Sequence, residues 1–212
     1  MKHVFLICLL IIIYSCSDNK TDEGSENHTR SNPVNKKTRS NASKILSSVD
    51  DIRKEFHKTQ SKILQRKLDS LGFSYECDER VGDVTYYYDQ NDLKMIRFST
   101  GDSHFSSEQH YYINTGKPYF VYIKETLWSF DGGTADKPET KDDITEKRFY
   151  ISDGKPVLCL EKKYTVKSSS ANNPKPQDVK NTEIRSCSIS DLEKQYGILL
   201  KYKNNKTALK CL

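Results

Sequence analysis

Two histidines and an aspartate in the middle of the chain are the residues whose types come closest to catalytic machinery. The run Asp102-Ser103-His104 contains the residue types of a hydrolase triad, but neighbours in sequence cannot converge in the relay geometry. Asp102, His104 and His110 would hold a metal ion only if a hairpin brought them together. We therefore expect a solvated turn and no metal site. An enzyme whose site converges near His104 and His110 is kept as an alternative.

Motifs with an established catalytic mechanism do not occur in the sequence. It contains no nucleophile elbow, P-loop, zinc-protease helix or dinucleotide-binding glycine pattern. Asp89, Asn91 and Asp92 are residue types found in calcium loops, but the rest of the twelve-residue ligand set is missing. A hairpin tip explains these residues. The sequence thus predicts no catalytic residue, no cofactor and a protein that is not an enzyme.

Tyrosine is the more informative residue type, with 13 in the chain. Consecutive strand residues point to opposite faces, so the three tyrosines at 86–88 place rings on both faces of a sheet. We expect one face to pack under a helix and the other to show rings and hydroxyls to water, which suits glycan or protein contact. The candidate binding residues are Tyr87, Tyr112, Tyr122 and Tyr150. Cross-strand aromatic pairing that only stabilises the sheet is the alternative.

The first sixteen residues have the layout of an export signal. Lys2 and His3 precede an unbroken apolar run over residues 4–13, and the chain turns polar directly after Cys16. An apolar run of this length is too short to span a bilayer but suits the core of a secretory signal. The small residue Ser15 stands immediately before Cys16.

This arrangement resembles the lipobox of bacterial lipoprotein signal peptides. The resemblance implies cleavage before Cys16, a diacylglycerol on its thiol and a fatty acid such as palmitate on the freed amine. Two or more acyl chains anchor a protein stably to a membrane. The start Ser17-Asp18 and the hairpins described below also resemble uncharacterised Bacteroidota lipoproteins. This implies an outer-membrane protein, lipid-anchored and facing the periplasm or the cell surface. An ordinary secretory signal is the alternative.

Composition divides the rest of the chain into a tether and a domain. Residues 17–41 contain almost no apolar side chain except Val34, and such a stretch cannot offset the entropy of ordering. The expected organisation is a signal peptide at 1–15, a lipidated cysteine and disordered tether at 16–42, and one globular domain at 43–212. Within that domain, apolar residues at spacings of three, four or seven over 45–71 predict an amphipathic helix. We expect it to begin at Ser43 or Ser48 and to end at Gly72.

Three aligned segments, 86–97, 111–122 and 149–160, predict the sheet, because each has two apolar or aromatic runs separated by a polar turn. Thr115-Gly116 and Asp153-Gly154 are two-residue hairpin signals, and Asn91-Asp92 is a weaker one. The expected fold class is α+β: an antiparallel β-meander of about six to eight strands packed by one long N-terminal amphipathic helix. Residues 131–143 and 168–181 are predicted loops, the first pinned by Trp128. A helical turn ending at Gly197 and a last hairpin complete the expectation.

Cysteine usage favours disulfides. Of the six cysteines, Cys8 would leave with the signal and Cys16 would carry lipid. An even number in an exported domain predicts disulfide bonds among the remaining residues, with the pairing left open. Those residues are Cys77, Cys159, Cys187 and Cys211. Zinc binding lacks the short C-x-x-C spacing, and buried free thiols are the other alternative.

Charge and composition restrict the function classes. The net charge is +5, with no run of five or more basic residues, so we expect no nucleic-acid partner. The first hypothesis is a non-enzymatic protein- or glycan-binding or envelope-structural lipoprotein, whose partners are the membrane, through its lipid, and an envelope protein or glycan. The alternative is a periplasmic inhibitor or chaperone-like module that acts through the projecting 131–143 loop.

Intact-mass spectrometry tests the lipobox. For the protein purified from its native envelope, we expect the mass of a chain beginning at Cys16 plus a diacylglycerol and a fatty acid. A Cys16→Ser variant should lack that added mass and leave the membrane fraction, because no thiol remains to carry the glyceride. An uncleaved leader, or a trimmed chain without lipid, would contradict the lipoprotein interpretation.

Overall fold

The computed structural model describes residues 45–203, which belong to one compact unit, Asn41–Leu212. The predicted signal peptide, Cys16, the whole of the predicted tether and Cys211 lie outside the described residues. The elements in chain order are α1 Val49–Leu64, β1 Asp69–Cys77, β2 Arg80–Asp89, β3 Asp92–Gly101, β4 Phe105–Asn114, β5 Lys117–Thr134, β6 Lys137–Ser152, β7 Lys155–Lys167, β8 Thr182–Glu183 and α2 Ser190–Tyr202. Neither helix is long and apolar enough to cross a membrane.

The strands form one antiparallel sheet in which every strand pairs with its neighbour in sequence. Over the described residues the sheet has eight strands in the order β1-β2-β3-β4-β5-β6-β7-β8. Each connection is therefore a hairpin, which is the easiest way to join antiparallel neighbours. The predicted α+β class and β-meander are confirmed, with a strand number at the upper end of the expected range. Residues 45–203 contain two α-helices, where one long helix and a short helical turn were expected.

Two tight turns fix the register of the central strands. Thr115 and Gly116 have φ angles of 51° and 74°, and Asp153 and Gly154 have 47° and 71°. Positive φ at both central residues is the signature of the hairpin turn that matches the twist of the strands. Both predicted turns are confirmed. The third turn lies one residue earlier than the predicted Asn91-Asp92. Its central residues are 90 and 91, because β2 runs to Asp89 and β3 begins at Asp92.

The predicted loop at 131–143 is wrong, since these residues continue β5 and β6 as a long hairpin. The pairing extends to Thr134 and Lys137. Local glycines suggested a loop, but Gly132 and Gly133 adopt positive φ inside the strand, next to a register shift after Phe130. A bulge of this kind absorbs an extra residue without ending the ladder. Pairing with the neighbouring strand outweighs the local turn signal.

Helix α1 begins where the capping pattern predicts and ends earlier than expected. The Ser48 hydroxyl accepts a hydrogen bond from the Asp51 backbone N–H at 3.1 Å, which satisfies one of the free donors of the first turn. At the other end, Arg66 adopts a φ of 53°, and a left-handed residue ends a helix. The prediction that the helix continues to Gly72 is wrong, because residues 69–77 form β1.

The C-terminal prediction of a short helical turn and a hairpin is also corrected. Helix α2 runs through Gly197 to Tyr202, so residues 198–202 are helical. Ser190 and Glu193 have the spacing of a capping box but do not cap this helix, because its N-cap is Ile189, which makes no side-chain hydrogen bond. Leu199 is fully buried, and its carbonyl accepts a hydrogen bond from the Tyr86 hydroxyl at 2.8 Å. These tertiary contacts explain why the helix is longer than its local signals predict.

The two helices contact opposite faces of the sheet near the turns at residues 115–116 and 153–154. We call this end of the strands the hairpin end. The Phe56 ring of α1 lies 4.9 Å from that of Tyr112 and 5.1 Å from that of Phe120. On the opposite face, Tyr196 of α2 donates a hydrogen bond to the Gly116 carbonyl at 2.9 Å. The expectation that one face shows tyrosines to water is therefore wrong at this end. Burial raises the pKa of Tyr86, on the α2 face, to about 12.

Disulfide bonding confirms part of the cysteine prediction. Cys159 of β7 is bonded to Cys187, with the two Cα atoms 6.2 Å apart. The Ile184 backbone N–H also donates to the Cys159 carbonyl at 2.8 Å. Together these contacts fasten the segment before α2 to the sheet. Cys77 is disulfide-bonded as well.

Two glycine substitutions test the packing. A Cβ at Gly82 would lie 2.1 Å from the Ser99 carbonyl oxygen, whereas one at Gly197 in α2 meets nothing within 4 Å. Gly82→Ala should lower the free energy of unfolding by about 1–3 kcal/mol, because backbone must move to admit the methyl group. Gly197→Ala, the matched control, should raise it by about 0.5–1 kcal/mol. Urea unfolding followed by circular dichroism measures both, and equal effects would contradict the described packing.

Candidate functional site

The face that α1 contacts changes from aromatic to charged along the strands. Under α1, the register aligns Met95, Tyr112, Phe120 and Tyr150 across four strands. Four residues from this aromatic row along each strand, one residue from each of β2 to β7 belongs to what we call the charged row. Its members are Asp83, Ser99, Glu108, Lys124, Glu146 and Lys162. Because residues two apart on a strand share a face, the aromatic and charged side chains all lie on the α1 side.

An open groove of about 730 Å³ lies on this side, over β1 to β5. We call it the polar groove. The α1-side residues that line it are Ser74, Glu76, Val81, Asp83, Ser99, Gly101, Ser106, Glu108, Lys124 and Thr126. Val81 is the one apolar side chain longer than a methyl group in this set. The groove therefore offers hydroxyls, three carboxylates and one ammonium group.

Hydrogen bonds hold several of the groove's polar groups in place. The Ser74 hydroxyl donates to Asp83 Oδ1 at 2.6 Å, and the Ser99 hydroxyl accepts from the Asp83 backbone N–H at 3.2 Å. Glu108 Oε1 lies 2.7 Å from His110 Nε2. Lys124 stands opposite Glu108 in the register. Side chains fixed in this way lose less entropy when a ligand binds.

Trp128 lies on β5 two residues after Thr126, so its side chain is on the same face of the sheet. Its Nε1–H donates to the Ser103 carbonyl at 2.6 Å, and its ring stacks on that of His104 with centroids 4.3 Å apart. Phe130 meets it edge-on at 5.5 Å and is 65 % exposed. The single Trp of the chain is thus held rigidly, half-exposed, at the end of the polar groove.

Glu146 is the centre of a buried charge cluster at the other end of the charged row. Its carboxylate accepts from Arg148 Nη2 at 2.7 Å and from the Tyr164 hydroxyl at 2.9 Å, and it lies 3.3 Å from Lys162 Nζ. Lys162 also donates to the Pro176 carbonyl at 2.5 Å. Burial alone would raise the pKa of Glu146, but these hydrogen bonds outweigh it and hold the pKa below its usual value.

The four tyrosines predicted to bind a ligand share the α1 side. Tyr112 and Tyr150 are buried, at 1 % and 8 % exposure, whereas Tyr87 and Tyr122 are half-buried. Burial raises the pKa of both Tyr112 and Tyr122. Ring contacts such as Phe120–Tyr150, 5.0 Å between centroids, are those expected from cross-strand aromatic pairing.

The two histidines of the enzyme alternative are not brought together. His104 lies in the turn before β4 and His110 in the middle of that strand, which separates them by about 20 Å. Burial lowers the pKa of His110, while the hydrogen bond with Glu108 opposes this shift. Over residues 45–203, no group of three or more His, Cys, Asp or Glu side chains is placed to hold a metal ion.

A smaller cavity of about 230 Å³ lies on the same face, next to α1, at the strand positions between the aromatic row and the charged row. It is lined by Phe56, Gln60, His110, Tyr112, Phe120, Tyr122 and Arg148. Arg148 lies over the Tyr122 ring, 5.2 Å from its centroid, and donates to Asn181 Oδ1 at 3.0 Å. The Arg148 guanidinium is therefore already engaged by protein groups on several sides.

Comparison with known proteins finds no matching protein family, no similar curated protein and no similar solved structure. The charged row and the polar groove were missed from the sequence. Their members are spread over six strands, so only the register brings them together. The one local signal was the run of polar residues beside the aromatic positions, before them in β2 and β4 and after them in β3.

Replacing Glu146 tests the charge cluster. Glu146→Gln should lower the free energy of unfolding by about 3–5 kcal/mol, because Lys162 stays buried without its counter-charge. The matched change Glu161→Gln affects a pair whose lysine side chain is 65 % exposed and should cost about 0–1 kcal/mol. Denaturant unfolding measures both.

The same pair of variants predicts a pH dependence. The folded pKa of Glu146 lies below its reference value of 4.5, so its contribution is present above pH 4.5 and is lost as the pH falls further towards the folded pKa. Glu146→Gln should therefore lose less stability than the wild type over that acid range. Parallel acid curves would contradict the described cluster.

Proposed function

We propose that this chain is an outer-membrane-anchored lipoprotein that binds a glycan, without catalysis, in the polar groove. The observation that carries the proposal is the set of side chains in that groove, which has an open volume of about 730 Å³: every α1-side residue that lines it, except Val81 and Gly101, has a polar side chain. A glycan presents closely spaced hydroxyls that both donate and accept hydrogen bonds. Carboxylates accept, an ammonium group donates and Ser or Thr hydroxyls do both.

The groove's chemistry favours a glycan over the other ligand classes. Small apolar ligands require a mostly apolar cavity, and stable protein interfaces have cores with few charged residues. The polar groove has one large aliphatic residue, Val81. Trp128 adds an aromatic ring with a polar edge at its end, and such rings serve contact with mixed polar and apolar surfaces.

The charges indicate a neutral glycan. Glu76, Asp83 and Glu108 place three carboxylates in the groove against the single ammonium of Lys124. Like charges on an acidic polysaccharide would be repelled at such a site, and desolvation would add to the cost. Neutral hexose or N-acetylhexosamine units carry no such penalty, so they are the proposed ligand class.

The sequence supports the anchoring half of the proposal. Ser15-Cys16 follows an apolar run and precedes a polar stretch, which is typical of a lipidated export signal. About 25 residues of flexible coil would span roughly 25–30 Å, enough to hold the domain clear of lipid headgroups. In this proposal α1 packs over the aromatic row and bounds the binding face on the side where the tether enters.

Calorimetric titration with soluble hexasaccharides tests the groove. We would use hexamers of β-1,4-glucose, α-1,4-glucose and β-1,4-N-acetylglucosamine, and expect at least one to bind. Lys124→Met and Trp128→Ala should each weaken that binding about tenfold, the loss expected for one hydrogen bond to a charged group or one aromatic contact. Lys163→Met is the matched control, because Lys163 is an exposed lysine on the opposite face and should leave binding unchanged.

Equal affinities for all variants, or no binding of any hexamer at millimolar concentration, would overturn the glycan assignment. One observation favours the inhibitor-type alternative: β5 and β6 extend beyond β4, and Leu127 and Phe130 there are 53 % and 65 % exposed. If the hairpin binds a protein instead, Phe130→Ser should remove a partner recovered from envelope extracts, and Lys124→Met should not.

A further inference from the structure

Cys77 ends β1 and is disulfide-bonded, and the Cys159–Cys187 bond accounts for two of the other cysteines. We propose that Cys77 is bonded to Cys211 and that this bridge holds β1, the outer wall of the polar groove, in position. By the sequence interpretation, Cys8 leaves with the signal peptide and Cys16 carries lipid. Cys211 is then the remaining cysteine of the mature chain.

The reach of the chain fits this pairing. Lys203, directly after α2, places its ammonium 5.4 Å from the centroid of the Tyr88 ring. Tyr88 pairs with Asp69 at the start of β1, and β1 then extends for about 26 Å to Cys77. Eight residue steps separate Lys203 from Cys211, and they span at most about 26–29 Å. The length of chain between Lys203 and Cys211 is therefore comparable with the length of β1.

Both ends of this path lie on the same side of the sheet. Tyr88 shares the α2 face with Tyr86, two residues before it, and Tyr86 donates to the Leu199 carbonyl of α2. Within β1, Cys77 shares the face of Tyr75, which packs in the core beneath α2. The Lys203 ammonium and Cys77 therefore lie on the face opposite the polar groove.

The bridge acts on the groove through β1. Within the part of the chain that the structure describes, β1 pairs only with β2, so one ladder holds it. Ser74 and Glu76 of this strand line the groove, and Glu76 is the residue before the bonded cysteine. A covalent link at Cys77 limits fraying of the strand end. Cys77 and Cys211 are thus positioning residues for the groove.

The chemistry of bond formation is thiol–disulfide exchange. The two thiols lose two protons and two electrons and form one S–S bond, while the disulfide of a thiol oxidoreductase in the exporting compartment is reduced to a dithiol. Such oxidants are present in the bacterial periplasm.

Peptide mapping without reduction, on the full mature chain purified from its envelope, tests the linkage. Trypsin cleaves after Lys67 and Arg80 and after Lys210. We expect the peptide 68–80 to be found bonded to Cys211-Leu212, and the two to separate after reduction. An alkylated free thiol at Cys77, or a bond from it to Cys16, Cys159 or Cys187, would overturn the proposal.

Hydrogen exchange tests the positioning role independently of any ligand. Cys77→Ser and Cys211→Ser should each speed amide exchange in residues 69–77 about tenfold or more, and the double variant should be no faster than either single one. Cys187→Ser, the matched control, should affect the segment before α2 and leave β1 unchanged. Unchanged β1 exchange in the first two variants would refute the positioning role. Failure of glycan binding would leave the mapped linkage intact, so the two proposals fail separately.

Discussion

The register of the β4–β5 and β6–β7 hairpins is the constraint on which the rest of the molecule depends. A slip of one residue in a strand would move every side chain to the opposite face. The turns at Thr115-Gly116 and Asp153-Gly154 prevent this, and each is preceded by a register shift at the equivalent place, after Tyr112 and after Tyr150. With the register fixed, aromatic residues meet under α1, and the charged row lies four residues away on the same strands.

The α1 face therefore serves two physical purposes along one set of strands. Ile52 of α1 is fully buried with Tyr112 and Phe120 in one apolar cluster, which supplies stability through the hydrophobic effect. Beyond that cluster the same face carries charge. Where the loop at Pro176 covers it, Glu146 and Lys162 are buried and must be paired, because an uncompensated buried charge is costly. Where nothing among the described residues covers it, the polar groove remains open.

Local signals predicted the local features well. Ser48 capped α1 as expected, and glycine after Thr115 and Asp153 marked two turns, because caps and tight turns depend on a few consecutive residues. Features that depend on pairing were missed. Leu71 fits both a helical stripe and the alternation of β1, and Gly132 reads as a loop until its pairing with β6 is known. The charged row required the register of six strands, which no single segment contains.

If the domain is anchored as proposed, the position of Leu46 explains how the groove stays accessible. Leu46, before α1, lies with Thr115 and Asp153 around a common cavity at the hairpin end of the sheet. Thr126 of the polar groove is seven residues beyond Tyr119 on β5, or about 24 Å along the strand. In the proposed lipoprotein, the attachment and the groove therefore occupy opposite ends of the strands. A polymer can then enter the groove without passing the point where the tether joins the domain, which suits the binding of an extended glycan.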